Sequence, residues 1–252
     1  LFSQEHTDAQ ASQPVNTMPI IAVVNRKGGC GKSTLATNLA GWLVSRGIPV
    51  TLGDMDRQRS VRGWIQRRDP QAGPIPYWAV DTSRLLTAPN GISDVIVDTQ
   101  SALYDYPLCK LIGWAEVIVV PVGPSLFDHD AALSFLQEVE SHPRYVSGRC
   151  KLAVVGMRWS QEKVREWRTS GQRSGIAYTA AIPEHALYCD CLESGTSIFE
   201  RDDANAQSEQ VHWQPLLGWL NASRNGIRSP ISGFTKQQSN PLPAQPQPQP
   251  QA

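Results

Sequence analysis

Residues Val23 to Thr34 read VVNRKGGCGKST, and their types and spacing suit a site for polyphosphates. Gly28, Gly29 and Gly31 let the backbone turn its N–H groups toward an anion, and the start of a following helix adds a favourable dipole. The strict pattern G-x-x-x-x-G-K-S/T is not met, because Arg26 falls where it wants the first glycine. What stands instead is K-G-G-x-G-K-S, with a lysine on each side of the glycines. Lys32 is expected to reach the β- and γ-phosphate oxygens of ATP, Ser33 to offer its hydroxyl to Mg²⁺, and Thr34 to contact the α-phosphate. Gly28, Gly29, Cys30 and Gly31 form the expected cradle.

Phosphate chemistry also needs carboxylates that hold the metal's water shell and orient an attacking water, placed at the carboxyl ends of neighbouring strands. Two segments offer them. Gly53-Asp54-Met55-Asp56-Arg57-Gln58 follows the apolar VTL, and DVIVD ends in Asp98. An aspartate after a strand often begins a turn, so Asp54 carries that second reading as well. Asp98 follows four strand residues, where a buried carboxylate without a partner would be costly.

With Lys27 ahead of its glycines, the loop resembles the deviant Walker A ATPases of the ParA/MinD family. The resemblance implies an ATP-sandwich homodimer in which Lys27 reaches the partner's nucleotide and stabilises charge on the phosphates, as an arginine finger does elsewhere. The stretch from Asp54 to Gln58 is similar to the family's D-x-D-P-Q switch. That match implies that Asp56 positions the water and Asp54 supports the metal side, while Asp98, at the Walker B position, acts on Mg²⁺ through water. Arg57 replaces the family's proline, and Thr99-Gln100-Ser101 stand where relatives show small or proline-rich residues. Both departures fall in segments that sense the γ-phosphate.

The likeness covers roughly Pro19 to Asn221. EVIVVPVGPSLFDHDAALSFLQEVE (116–140) looks like the family's strand, switch loop and helix, and IPEHALYCDCLESGTSIFE (182–200) like its late strand, helix and G-x-S-V/I turn. Arg158 falls in the adenine-facing loop. His185 reads as a helix-start residue, and Cys189 and Cys191 point to different faces of a helix. The chain resembles most the small plasmid-type, ParF-like partition proteins. That implies ATP-dependent DNA partition: a dimer binds nonspecific nucleoid DNA, and a centromere-binding ParB/ParG-like adaptor stimulates hydrolysis and releases it. A ParA-like ATPase that positions another cargo on the nucleoid would share this core. A MinD-like membrane switch would need an amphipathic C-terminal helix, and a metabolic P-loop enzyme would need acid and base residues for a substrate.

These residues require a scaffold that ends several strands at one edge. Short apolar runs supply it: IIAVV (20–24), VTLGD (50–54), DVIVD (94–98), EVIVVPV (116–122) and KLAVVG (151–156). Runs apolar throughout are strands covered on both faces. Between them, Ser33 to Ser45, Val61 to Arg68, Asp128 to Glu140 and Gln161 to Ser174 fit crossover helices, and a last helix is expected over about Ser208 to Asn221, kinked or restarted at Pro215. The alternation predicts a single-domain, doubly wound α/β fold of the P-loop NTPase type, its sheet mostly parallel with helices on both faces.

The chain has 252 residues, 40% of them hydrophobic, with 23 basic and 23 acidic side chains. That length supports one or at most two domains, and the balanced charge excludes histone-like binding. The five cysteines are scattered without metal spacing, which fits a reduced cytoplasmic setting. Residues 1–17 are polar and read as a disordered tail, 18–222 as the ATPase domain, and 223–252 as a Pro/Gln-rich tail. The second tail reads as solvated, with a docking segment as the alternative, and it lacks the pattern of a membrane-surface helix. Several of the eight tryptophans adjoin arginines, as in Arg165-Glu166-Trp167-Arg168. Such clusters serve as surface packing or as a grip on phosphate backbones. With the resemblance, Arg165, Arg168 and Arg173 become the candidate contacts to nucleoid-associated DNA.

Overall fold

The computed structural model describes residues 19–81, 94–170 and 175–228. The first half of the fold runs β1 (Ile20–Val23), α1 (Lys32–Ser45), β2 (Val50–Asp54), α2 (Ser60–Arg67), β3 (Tyr77–Ala79), β4 (Asp94–Asp98) and α3 (Asp105–Trp114). The second half runs β5 (Val117–Val122), α4 (Leu126–Ser141), α5 (Pro143–Val146), β6 (Lys151–Trp159), α6 (Gln161–Ser170), β7 (Ala180–Pro183), α7 (Leu187–Ser194), a 3-10 turn (Ile198–Glu200) and α8 (Ala204–Arg228). The strands form one sheet in the order β3-β2-β4-β1-β5-β6-β7. Every pairing is parallel, so β1, β2 and β4 deliver their carboxyl ends to one edge.

Alternate strand residues feed two cores, as the period-2 geometry of a strand requires. Ile21 and Val23 pack with Leu35, Val61, Leu187 and Trp213 from α1, α2, α7 and α8. Ile20 and Ala22 face Leu108, Phe135 and Val164 from α3, α4 and α6. One contact fixes the pitch of α1 on this sheet. A Cβ on Gly41 would lie 2.0 Å from Ser197 Oγ, so only glycine lets the helix rest against the 3-10 turn. Asn38, one turn earlier, accepts a hydrogen bond from the Ile198 N–H at 3.1 Å.

The five expected strands are present. Two additional strands are short: β3 is a three-residue, incompletely buried edge strand, and β7 begins two residues ahead of the late segment read from the sequence. The helix α3 was not expected, although Leu108, Leu111 and Ile112 give it a buried stripe. The last helix is continuous through Pro215, which lies on the exposed side, where the carbonyl released at Val211 meets solvent. Residues 171–174, the end of the helix expected over Gln161 to Ser174 and including Arg173, lie outside the described residues, as do residues 1–18 and those from 229.

The helix α8 also runs past residue 222, where the folded domain was expected to end. Ser223 and Arg224 are buried there, and the Arg224 guanidinium pairs with Asp94, the first residue of β4. Breaking such a buried pair by removing one partner costs about 3–5 kcal/mol. A chain ending at Ala222 should therefore melt roughly 10 °C below the full chain, and an Arg224→Leu variant should lose a comparable amount. Equal melting temperatures in a thermal scan would restore the boundary at 222.

Candidate functional site

The eight residues between β1 and α1 wrap an anion-sized cradle. Gly29 and Gly31 take left-handed backbone angles, φ 69° and 96°, which a side chain would strain. Gly31 also passes Met157 so closely that a Cβ would lie 3.1 Å from its Cε. The base of the loop is pinned by Asn25, which donates to the Pro121 carbonyl at 2.7 Å and accepts from the Lys27 N–H at 3.0 Å. Lys32 Nζ crosses the loop to donate to the Lys27 carbonyl and to Ser101 Oγ, both at 3.0 Å. The cavity so formed is about 370 Å³, with Gly28, Gly29, Gly31, Lys32, Ser33 and Thr34 on one side. Asp56, Gln58, Ser60, Ser101 and Arg158 close the other.

Cys30 belongs to the cradle through its backbone alone. Its side chain is buried, the thiol donates to the Lys27 carbonyl at 3.3 Å, and burial pushes its pKa up, so it faces no ligand as a thiolate.

The metal side is built by strand register. Asp54 and Asp98 are direct partners across β2 and β4. Ser33 Oγ donates to Asp98 Oδ2 at 2.6 Å, and Asp54 Oδ1 accepts from the Asp56 N–H at 2.9 Å. Asp98 Oδ1 and Asp54 Oδ2 are buried, and neither has a hydrogen-bond partner among the described residues. Burial raises both pKa values, that of Asp98 to about 7 despite the Ser33 bond and the Lys32 charge. Two neighbouring buried carboxylate oxygens without donors suit a hard divalent cation. Among the described residues no three His, Cys, Asp or Glu side chains are placed to hold a metal ion by themselves, so such a cation would also draw on the Ser33 hydroxyl and on phosphate oxygens, as Mg²⁺ does.

Asp56 lines the cavity, and its Oδ1 accepts from the Gln58 N–H at 2.9 Å. Arg57 is exposed and lines a neighbouring hollow together with Asp56 and Gln100. Lys27 precedes the lining glycines in the chain, and its side chain forms an ion pair with Asp128 of its own chain at 2.5 Å. Asp128 caps α4 in a reciprocal box with Ser125. Burial works to raise its pKa, but Lys27 and the Ser125 donors outweigh that and hold it low. The sequence reading missed this partner, although the Ser125-x-x-Asp128 spacing is that of a capping box.

Arg158 occupies a bulge where the β6–β7 register shifts, with a left-handed φ of 57°. Its guanidinium reaches back to the Gly29 carbonyl at 2.5 Å. It thereby stands between the phosphate cavity and a second one of about 320 Å³ lined by Met157, Ile182, Pro183, His185, Tyr188 and Leu192. Gly31, Thr34 and Arg158 line both, so a polar compartment opens into a largely apolar one. A nucleotide divides in the same way. His185 accepts the Leu187 N–H at 3.1 Å and so caps α7, while Cys189 is exposed and Cys191 buried. Arg165 and Arg168 are exposed on α6, outside this site, and Arg168 donates to His212 Nδ1 at 3.1 Å.

The raised pKa of Asp98 has a stability consequence. Its folded value of about 7 lies above the ordinary carboxyl value of about 3.9, so the folded chain holds a proton that the unfolded chain releases. The resulting stabilisation is complete below about pH 4 and is lost as pH rises to about 7. In EDTA, Asp98→Asn should therefore melt a few degrees above the parent at pH 8 and show no gain at pH 4, while binding Mg²⁺-nucleotide more weakly. A lower melting temperature at pH 8 would show that its buried charge is not the destabilising element.

The family model described as CobQ/CobB/MinD/ParA nucleotide binding domain matches residues 21–225. The maintenance of carboxysome distribution protein A of Gloeobacter kilaueensis is 30% identical over 205 residues, covering 80% of this chain and 94% of its own. Its namesake in Halothiobacillus neapolitanus is 29% identical over 188 residues, with 71% and 86% covered. Among solved structures, a Cyanothece McdA variant in complex with ATP superimposes with a TM-score of 0.55 at 16% identity, covering 85% of this chain and 98% of that one, a likeness of fold. With its two-lysine loop, its all-parallel sheet and a match over most of its length, the chain belongs to the CobQ/CobB/MinD/ParA family of nucleotide-binding domains.

Proposed function

We propose that the protein is a ParA-type ATPase that positions a cargo by cycling between ATP-bound and released states. The observation that carries this reading is a phosphate-sized cavity in which Lys32 crosses the glycine loop and Ser33 bonds Asp98, with the second lysine, Lys27, immediately ahead of the glycines. Lys32 and the loop N–H groups bind the phosphates, and the apolar compartment beyond Arg158 takes the base. Ser33 and Asp98, with Asp54 behind them, hold Mg²⁺, which neutralises phosphate charge. Asp56 orients the attacking water. Lys27, 36% exposed, leaves Asp128 at little cost and reaches the nucleotide of a second copy, so the active form is an ATP-bound homodimer.

Dimerisation doubles the exposed arginine surface of α6, and nonspecific DNA binding through Arg165, Arg168 and Arg173 then follows the nucleotide state. The names of the two sequence relatives, which concern carboxysome distribution, favour a cargo other than DNA; the nucleoid as its track is part of the proposal. DNA partition through a centromere-binding ParB/ParG-like adaptor is the other reading, supported by a 29% identity over 147 residues to Protein ParA of Rhizobium radiobacter. Among the described residues no helix is long and apolar enough to cross a membrane.

Binding to nonspecific duplex DNA and to anionic liposomes, each with ATP, ADP and no nucleotide at fixed salt, tests the proposal. DNA binding that requires ATP is the expected result; liposome binding alone would point to a membrane switch. Lys32→Ala should abolish ATP binding. Lys27→Ala should keep it while losing dimerisation or turnover, and unchanged turnover would remove Lys27 from the chemistry. Reversing both Arg165 and Arg168 to glutamate should weaken DNA binding at least tenfold with ATP affinity unchanged, whereas unaltered DNA binding would move the contact elsewhere.

A further inference from the structure

At the start of β2, away from the phosphate cavity near its other end, the fold leaves an apolar hollow of about 330 Å³. Val44, Ile48 and Val50 line it together with three exposed prolines, Pro49, Pro74 and Pro76, and no described lining residue carries a charge. Its walls are fixed. The Leu52 N–H donates to the Pro76 carbonyl at 2.9 Å, and a Cβ on Gly73 would lie 2.5 Å from Val44 Cγ1, so the 73–76 turn is seated on both β2 and the end of α1. A preformed hollow of this size and lining takes an apolar side chain and offers nothing to a phosphate or a cation.

The last helix ends close to it. Arg224 of α8 bonds Asp94, and the Asp94 N–H donates to the Pro49 carbonyl at 2.9 Å, so one arginine side chain and one strand spacing of about 5 Å separate α8 from a lining residue. Four more residues of helix, about 6 Å of rise, bring α8 to Arg228. The sequence continues Ser229-Pro230-Ile231-Ser232-Gly233-Phe234, and its proline has no N–H with which to extend the helix. Ile231 and Phe234 are the large apolar residues of that segment, and no charge follows Arg228 until Lys236. Six extended residues span about 20 Å, enough to carry Phe234 to the hollow.

We propose that this hollow is the docking site of the chain's own segment 229–234, with Phe234 as its anchor and Ile231 beside it. Charge and length both favour this occupant. The segment is uncharged, as the hollow is, and its attachment to α8 keeps it at the millimolar effective concentration of a short tether, so burial of one aromatic side chain holds it in place. Docking there extends the join that Arg224 makes between α8 and the start of the sheet.

The full-length chain carrying p-benzoylphenylalanine in place of Phe234, prepared as an equal mixture of isotope-labelled and unlabelled copies, is irradiated and its cross-links are mapped by mass spectrometry. Cross-links to residues 44–50 or 73–76 that join like-labelled peptides only are the expected result. Cross-links of mixed label there would put a second copy's segment in the hollow and overturn docking within one chain. Absence of cross-links to both stretches would overturn the proposal outright. Hydrogen exchange checks the same contact without the probe: in the full-length Ile231→Ser/Phe234→Ser variant, amides within 44–50 and 73–76 should exchange about tenfold faster than in the parent. Exchange at the parent's rate would show that the segment does not cover the hollow.

Discussion

Setting Asp54 beside Asp98 across two parallel strands places two carboxylates where water scarcely reaches, and the rest of the site is arranged around that cost. Parallel pairing brings β1, β2 and β4 to a common edge, so the phosphate loop and both aspartates arrive together. Ser33, the first residue after Lys32 in α1, supplies one hydrogen bond to Asp98, and the Asp56 N–H supplies one to Asp54. The remaining oxygens have no protein donor among the described residues. A fold optimised for stability alone would not leave them so; the unmet demand is what a cation at a phosphate site meets.

Much of this arrangement is legible in the residues themselves. A strand apolar at every position, a glycine turn and Lys-Ser at a helix start specify the cradle, and the aspartates closing VTLGD and DVIVD specify the metal side. The edge strand β3 is too short and too incompletely buried to leave a pattern, and α3 starts at a Tyr-Pro sequence that reads as a turn. The Lys27–Asp128 pair joins residues a hundred positions apart, and no local periodicity announces it. The apolar compartment is hidden for the same reason, since β6, β7 and α7 each supply only part of its wall.

The two sides of the site are also mechanically joined. The helix α2, which follows the Asp54–Arg59 turn, is tied to the end of α7, which lines the apolar compartment. Trp64 Nε1 donates to the Thr196 carbonyl at 2.9 Å, Arg67 to the Leu192 carbonyl at 2.8 Å, and Arg68 pairs with Glu200 in a buried ion pair. The bonded pair α2 and α7 thus forms a contiguous path of contacts between the aspartate turn and the apolar compartment.

The interior strand β4 carries a buried acid at each end, and the one at its start pairs with Arg224, 130 residues further along the chain. At synthesis rates of about 5–20 residues per second, Asp94 emerges from the ribosome roughly 10 s before its counter-ion. The ion pair that joins the start of β4 to the last helix therefore forms only once nearly the whole domain has been made.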